Sequence, residues 1–256
     1  MENGEETLDE ILGGRLRIIQ KKRGYRFSLD ALLLAAFVVL RRNDDLIDLG
    51  TGSGVVAMIL ARRFLSGRIL GIDIQEELVE RAARSAALNG LEGRVAFCRG
   101  DVRHPGSFCA PGSFDAAVFN PPYRRISSGR RNPDPEKAVA RHEIRGTAKD
   151  FLAAADHALR EGGRVHAIYP ATRMVEIISR MRGCGIEPKR LRVVHSRPGG
   201  TGVFVLVEGV KGGGEELLVE PPLHIYGEGG YSGEMRAIFS ELSAFPSGAG
   251  EKSPGS

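Results

Sequence analysis

Leu46-Ile47-Asp48-Leu49-Gly50-Thr51-Gly52-Ser53-Gly54-Val55-Val56-Ala57-Met58-Ile59-Leu60 reads as a strand, a glycine turn and a helix in direct succession. A short apolar run bounded by turn residues has the length and flanks of a buried strand, and the longer apolar stretch after Gly54 those of a helix. In that setting glycines let the backbone approach a ligand, and the N–H groups at the helix start favour a polar or anionic group. Nineteen residues after Gly54, Asp73 closes the next strand in Gly71-Ile72-Asp73-Ile74. An acid at that place suits bidentate hydrogen bonds to ribose hydroxyls.

Working outward, strands are expected at Leu46–Leu49, Arg68–Ile74, Arg94–Cys98, Phe114–Phe119, Arg164–Tyr169, Leu191–His195 and Val203–Glu208. Amphipathic stretches at Val55–Phe64, Glu76–Asn89, Lys149–Arg160 and Thr172–Arg182 alternate with them. That alternation predicts an α/β fold, a seven-stranded, mostly parallel sheet with helices on both faces. Pro198-Gly199-Gly200 is too short for a crossover helix, so the last two strands should form a terminal antiparallel hairpin. Ahead of the core, Ile11–Gln20 suggests a β-ribbon turning at Gly13-Gly14, followed by a helix over Leu29–Leu40 with Ser28 placed to cap it. The expected division is an N-terminal extension over 1–28, one domain over 29–242, and a disordered Gly/Ser/Pro tail over 243–256.

Composition narrows the function classes. With 42% hydrophobic and 27% charged residues, the 256-residue chain is that of a globular protein rather than a disordered one. The longest apolar run, around Ala31–Leu40, is far shorter than the roughly 18 residues of a membrane helix. The acidic start MENGEETLDE lacks the basic region of a signal peptide, and three cysteines (Cys98, Cys109, Cys184) without CxxC spacing argue against a disulfide framework or zinc site. A cytoplasmic protein without a metal is expected. The net charge of +4 permits a polyanionic partner without requiring one.

The glycines read GxGxG, preceded by Asp48, where a dinucleotide fold would have GxGxxG. This arrangement resembles the S-adenosylmethionine loop of the Rossmann-like (class I) methyltransferases, in which the acid lies near the methionine portion of the cofactor. The resemblance implies a cofactor set of Asp48, Gly50, Thr51, Gly52, Asp73, Ile74, Asp101, Val102 and Asn120, with Asp101 accepting the adenine amino group. Asn120-Pro121-Pro122-Tyr123 ends the fourth strand and should share a cleft with the glycine loop. Its residue types suit one reaction. A planar amine is a poor nucleophile because its lone pair is delocalised. The Asn120 side-chain oxygen and the Pro121 carbonyl can each accept an amine hydrogen and aim that lone pair at a sulfonium methyl. Pro121 and Pro122 hold the acceptors still, and Tyr123 offers a flat face to a planar substrate. The tetrapeptide resembles the signature of methyltransferases acting on planar amino nitrogens, either adenine N6 or a glutamine amide.

Three further segments bear on that choice: Gly24-Tyr25-Arg26-Phe27-Ser28-Leu29-Asp30, the loop from Arg124 through Ala140-Arg141-His142-Glu143, and Pro221-Pro222-Leu223-His224-Ile225-Tyr226 followed by Gly229-Gly230-Tyr231. Over about Leu12 to Phe239 the chain resembles the bacterial tRNA N6-adenine methyltransferases that modify the adenosine next to the anticodon of a valine tRNA. In that family the first segment helps close over the cofactor, which implies Phe27, Ser28 and Asp30. The loop flanks the target base, which implies Arg141, His142 and Glu143. Arg124, Arg125, Arg130 and Arg131 lie within eight residues beside the tetrapeptide, a plausible phosphate contact, with Lys21-Lys22-Arg23 and Lys189-Arg190-x-Arg192 adding positive charge. His142 fits a place near the substrate loop better than a general base, since the mechanism needs none. The reading is therefore a tRNA N6-adenine methyltransferase using S-adenosylmethionine. A protein-glutamine methyltransferase ranks behind it, because such enzymes usually carry a helical domain before the loop and only 47 residues precede Asp48. A non-catalytic cofactor- or RNA-binding module would have no need of two amine acceptors.

Overall fold

The structure, a computed structural model, describes residues 6–22, 28–64, 67–121 and 146–244. An antiparallel ribbon of β1 (Glu6–Ile11) and β2 (Leu16–Lys21) comes first, turning through Gly13 and Gly14, both at positive φ. The core follows as α1 (Leu29–Phe37), β3 (Leu46–Leu49), α2 (Val55–Arg63), β4 (Ile69–Asp73), α3 (Glu76–Leu88), β5 (Val95–Arg99) and β6 (Phe114–Phe119). Then come α4 (Ala148–Ala158), β7 (Leu159–Pro170), α5 (Met174–Gly183), β8 (Ile186–His195) and β9 (Gly202–Lys211). Two-residue strands β10 (Leu218–Val219), β11 (Leu223–His224), β12 (Tyr226–Gly227) and β13 (Gly230–Tyr231) lead into α6 (Gly233–Ser243).

All seven expected strands form one sheet in the order β8-β9-β7-β6-β3-β4-β5, and β10 and β11 extend it by pairing parallel to β8. Strands β7, β6, β3, β4 and β5 are mutually parallel, and β9 is antiparallel to both of its neighbours. Alternation along the strands separates two cores. Leu46, Ala116, Val118 and Ile168 pack with α1 and α2 on one face, while Ile47, Ala117, Phe119, Val165 and Ala167 pack with α4 and α5 on the other. Helix α2 is buried from Val55 to Ala61, which explains why its sequence is apolar all round. The ribbon is fixed to α3: Ser85 Oγ accepts the Ile19 N–H at 2.9 Å, and Asn89 exchanges bonds with the Arg17 backbone.

Several local expectations change, beginning with β7, which starts at Leu159, five residues before Arg164, and pairs there with Phe114 ahead of a register shift. Helix α1 stops at Phe37, not Leu40, because Val38 turns to an extended conformation. Ser28 occupies the N-cap position, but its hydroxyl donates to the Asp30 carboxylate and caps no backbone N–H. Strand β8 starts at Ile186, five residues before Leu191, and takes Pro188 in at a bulge where the register with β9 shifts. The tail beyond Ala244 lies outside the described residues.

The chain winds from β3 to β4 and β5 on one side, then crosses to β6 on the other side of β3. That reversal makes the gap beyond the carboxyl ends of β3 and β6 a topological switch point, where open α/β sheets collect their ligands.

Candidate functional site

The loop after β3 is shaped by backbone conformations that side chains resist. Gly50, Gly52 and Gly54 all lie at positive φ, and Gly54 begins α2. The Thr51 N–H donates to the Ile72 carbonyl at 2.8 Å, tying the loop to β4, and the Gly52 N–H donates to Asp73 Oδ2 at 3.0 Å. Asp73 Oδ1 accepts the Gln75 N–H at 2.9 Å. One carboxylate therefore fixes both the loop and the turn into α3. The glycines are also required from behind. A Cβ on Gly50 would lie 2.8 Å from the Phe151 ring, and one on Gly54 2.6 Å from the Phe97 ring. Phe97 and Phe151 back the loop in a way that local sequence patterns do not reveal, since each reaches it across the tertiary fold.

Asp48 is buried and accepts a hydrogen bond from Thr51 Oγ1 at 2.7 Å. Burial pushes its carboxyl up to about 7, against the opposing pull of the Thr51 and Ala57 hydrogen bonds, and the neighbouring Asp73 charge adds to the rise. Among the described residues no cationic side chain pairs with it. A buried carboxyl of this kind fits the positively charged end of a ligand bound against the loop.

Ile74 and Asp101 follow the neighbouring strands β4 and β5, so the three acids Asp48, Asp73 and Asp101 stand along one edge of the sheet. Asp101 already holds the Arg103 guanidinium in a fork, at 2.9 and 2.6 Å, and this pair keeps its carboxyl below the usual range. Val102 beside it is buried. On the other flank of β3, Leu49 pairs with Phe119, so Asn120 sits one step past the strand end alongside Gly50. Neighbouring strands are about 4.8 Å apart, and the structure thus brings the tetrapeptide's first residue to the glycine loop. Pro121 is buried next to it.

Pro122, Tyr123, Arg124, Arg125, Arg130, Arg131, Arg141, His142, Glu143 and Phe27 lie outside the described residues. Asp30 is buried at the start of α1, where its Oδ1 also accepts the Ala31 N–H at 3.0 Å. Two of the supplementary basic runs change meaning. Arg190 is bound to Glu208 at 2.7 Å and Glu220 at 3.1 Å, and Arg192 to Glu234 at 2.5 Å. Lys189 donates to the Glu215 carbonyl at 2.7 Å, and Lys21 is paired with Glu77. Lys21, Lys189, Arg190 and Arg192 are thus engaged within the fold, and Arg23 lies outside the described residues.

Among the described residues no cluster of His, Cys, Asp or Glu is arranged to hold a metal, and no helix is long and apolar enough to cross a membrane.

The methyltransferase domain family matches residues 40–181, more than half of the chain. The chain belongs to this family. The match takes in the glycine loop, Asp73, Asp101 and Asn120. A relative from Aeromonas salmonicida, named tRNA1(Val) (adenine(37)-N6)-methyltransferase, is 31% identical over 60% of this chain and 63% of its own. The chain thus spans less than two thirds of that relative's length. A protein of the same name from Bacteroides thetaiotaomicron is 28% identical over 81% of this chain and 87% of its own. In fold, the chain is similar to an Agrobacterium tumefaciens protein described as a predicted O-methyltransferase, with a TM-score of 0.69, 24% identity and coverage of 85% and 98%. TrmN from Thermus thermophilus aligns with a TM-score of 0.50 at 25% identity, over 70% of this chain and 48% of its own.

Proposed function

We propose that the protein methylates the N6 amino group of an adenosine in tRNA, next to the anticodon, using S-adenosylmethionine in the cytoplasm. The observation that carries this reading is the placement of Asn120 alongside Gly50 at the switch point. An amine acceptor and a cofactor loop are thereby within one strand spacing of each other. The names of the relatives supply the substrate class.

The cofactor supplies an electrophilic methyl group on a sulfonium. The buried Asp48 carboxyl faces the need for a cation that the ammonium of its methionine portion meets, with Gly50, Thr51 and Gly52 giving the backbone room to approach. Asp73, fixed by the Gly52 and Gln75 N–H groups, takes the ribose, and Ile74, Asp101 and Val102 line the adenine end. Asn120 and Pro121 accept the two hydrogens of the target amine, and Pro122 and Tyr123 take the stiffening and stacking roles that their residue types suit. The N–CH3 bond would form as the S–CH3 bond breaks, with S-adenosylhomocysteine leaving, and the two acceptors would stabilise the cationic nitrogen until it passes one proton to water. Arg124, Arg125, Arg130, Arg131, Arg141 and His142 serve the RNA side, with Phe27, Ser28 and Asp30 over the cofactor. Residues 29–242 constitute the catalytic domain and 1–28 its extension. An adenosine in an anticodon loop is partly unstacked, so it enters such a pocket at modest cost.

The test is methyl transfer from labelled S-adenosylmethionine to bulk tRNA lacking its own N6-methyladenosine. Label recovered as N6-methyladenosine supports the reading. Label in a release factor and none in tRNA overturns it in favour of the glutamine amide.

A further inference from the structure

The segment Tyr226 to Tyr231, singled out in the sequence, has no part in the site described so far. It forms a hairpin (β12 and β13) that leaves the sheet at the same edge as Asn120. Strand β8 runs parallel to β7, and β11 runs parallel to β8 with His224 opposite His195, so Tyr226 emerges at the carboxyl end. The N–H groups of Ile225 and Tyr226 donate to the His195 and Ser196 carbonyls at 2.9 Å, and the Ser232 N–H donates to the Ile225 carbonyl at 2.9 Å. The hairpin is therefore fixed to the sheet.

Its side chains form a column of flat groups. The Tyr226 and Tyr231 rings are stacked 5.3 Å apart at 16°, Phe239 meets Tyr231 edge-on at 4.9 Å, and the Arg197 guanidinium lies over Tyr226 at 5.7 Å. Tyr231 is 39% exposed, and Arg197 is exposed too. Charge sets this place apart from the rest of its half of the molecule. Each of the seven arginines from Arg160 to Arg192 is paired with a carboxylate. Arg197 and Arg236 have no carboxylate within ion-pair distance among the described residues. Arg197 donates to the Gly227 carbonyl at 3.3 Å and Arg236 to the Tyr231 carbonyl, so both are bound to the hairpin by neutral acceptors. Glu228, at the hairpin tip, is the segment's one acid.

We propose that the Tyr226–Tyr231 hairpin with Arg197 is a stacking platform for an unpaired nucleotide of the RNA, a few positions away from the adenosine held at Asn120. The deduction rests on the tRNA reading and deepens it. From β6 the sheet passes through β7 and β9 to β8 and then β11, which places the platform about 14–19 Å from Asn120 along one edge. That is the reach of a few nucleotides of a splayed strand, with stacking on tyrosine and guanidinium planes and phosphate attraction to the unpaired arginines.

The test compares wild type, Tyr231→Ala, Arg197→Ala and the conservative Tyr231→Phe, measuring KM and kcat for tRNA and the Kd for S-adenosylmethionine. Both alanine variants should raise the tRNA KM by about tenfold, the equivalent of one weakened base stack, with kcat and cofactor Kd within about twofold. Tyr231→Phe should keep the wild-type KM. The unchanged cofactor Kd shows that the variants are folded. An unchanged tRNA KM in both alanine variants overturns the platform. Wild type that labels no RNA is a different result: it removes the substrate reading, and the platform with it.

Discussion

Asp48→Asn separates what the buried carboxyl costs the fold from what it gives the ligand. In the folded chain this group holds its proton up to about pH 7, while in the unfolded chain it releases it near 4. Because the folded value is raised, the stability this group contributes is fully present below the unfolded value and is lost as pH rises through 7. Each pH unit across that window is worth about 1.4 kcal/mol, so the wild type should gain about 3 kcal/mol from this group between pH 8 and pH 5. Asparagine does not titrate. The variant should therefore be the more stable protein at pH 8, by about 1–3 kcal/mol after the cost of a buried amide short of acceptors, and lose that advantage at pH 5. His166 acts in the opposite sense. It is fully buried, and burial with the Arg164 and Arg190 charges pushes it down to about 3, so its share of stability is lost as pH falls below the ordinary histidine value of 6.5. Raw pH curves mix the two groups, whereas the difference between variant and wild type at each pH isolates Asp48. Urea unfolding of both proteins at pH 5 and pH 8 is the assay, and calorimetric titration with S-adenosylmethionine should show weaker binding by the variant. A stability difference that does not change with pH refutes the account of this carboxyl.

Two further outcomes follow from packing and pairing. Gly50→Ala forces a Cβ to 2.8 Å from Phe151 at a φ of +71°, and should cost about 2–4 kcal/mol in urea unfolding while weakening cofactor binding. Arg190→Ala removes partners from Glu208 and Glu220, a bond to the Phe37 carbonyl at 2.7 Å and a guanidinium 3.9 Å from the Phe37 ring. It should destabilise by about 2–4 kcal/mol, less than for a fully buried pair because the side chain is 21% exposed, and leave tRNA affinity within about twofold in filter binding.

The parts of the fold that were legible in the sequence are those whose signal is local. Strand Phe114–Phe119 and the start of α2 at Val55 coincide with their expected ends, because a turn residue stands against each boundary. Strand β8 was foreshortened at Leu191 because Gly185 and Pro188 signal a turn, and only pairing with β9 carries the chain through them. Strands β10 to β13 are two residues each, too short for any alternation. Helix α6 did carry a readable signal: Met235, Ile238, Phe239 and Leu242 recur at helical spacing after Ser232, whose hydroxyl accepts the Met235 N–H at 3.0 Å. In the site, the glycines and acids were legible, but the aromatic backing of the loop and the ion pairs of Arg190 and Arg192 depend on contacts far apart in sequence. Charge read from a sequence does not reveal which arginines the fold consumes.

The central claim is that Asn120 presents a planar amine to the methyl donor. Nucleoside digestion of tRNA after incubation with S-adenosylmethionine and either wild type or Asn120→Ala tests it directly, with cofactor affinity measured on the same samples. The expected result is N6-methyladenosine with wild type and a loss of about 100-fold or more in rate with the variant at saturating cofactor, the cofactor still being bound. N6-methyladenosine formed at the same rate by both proteins would contradict it.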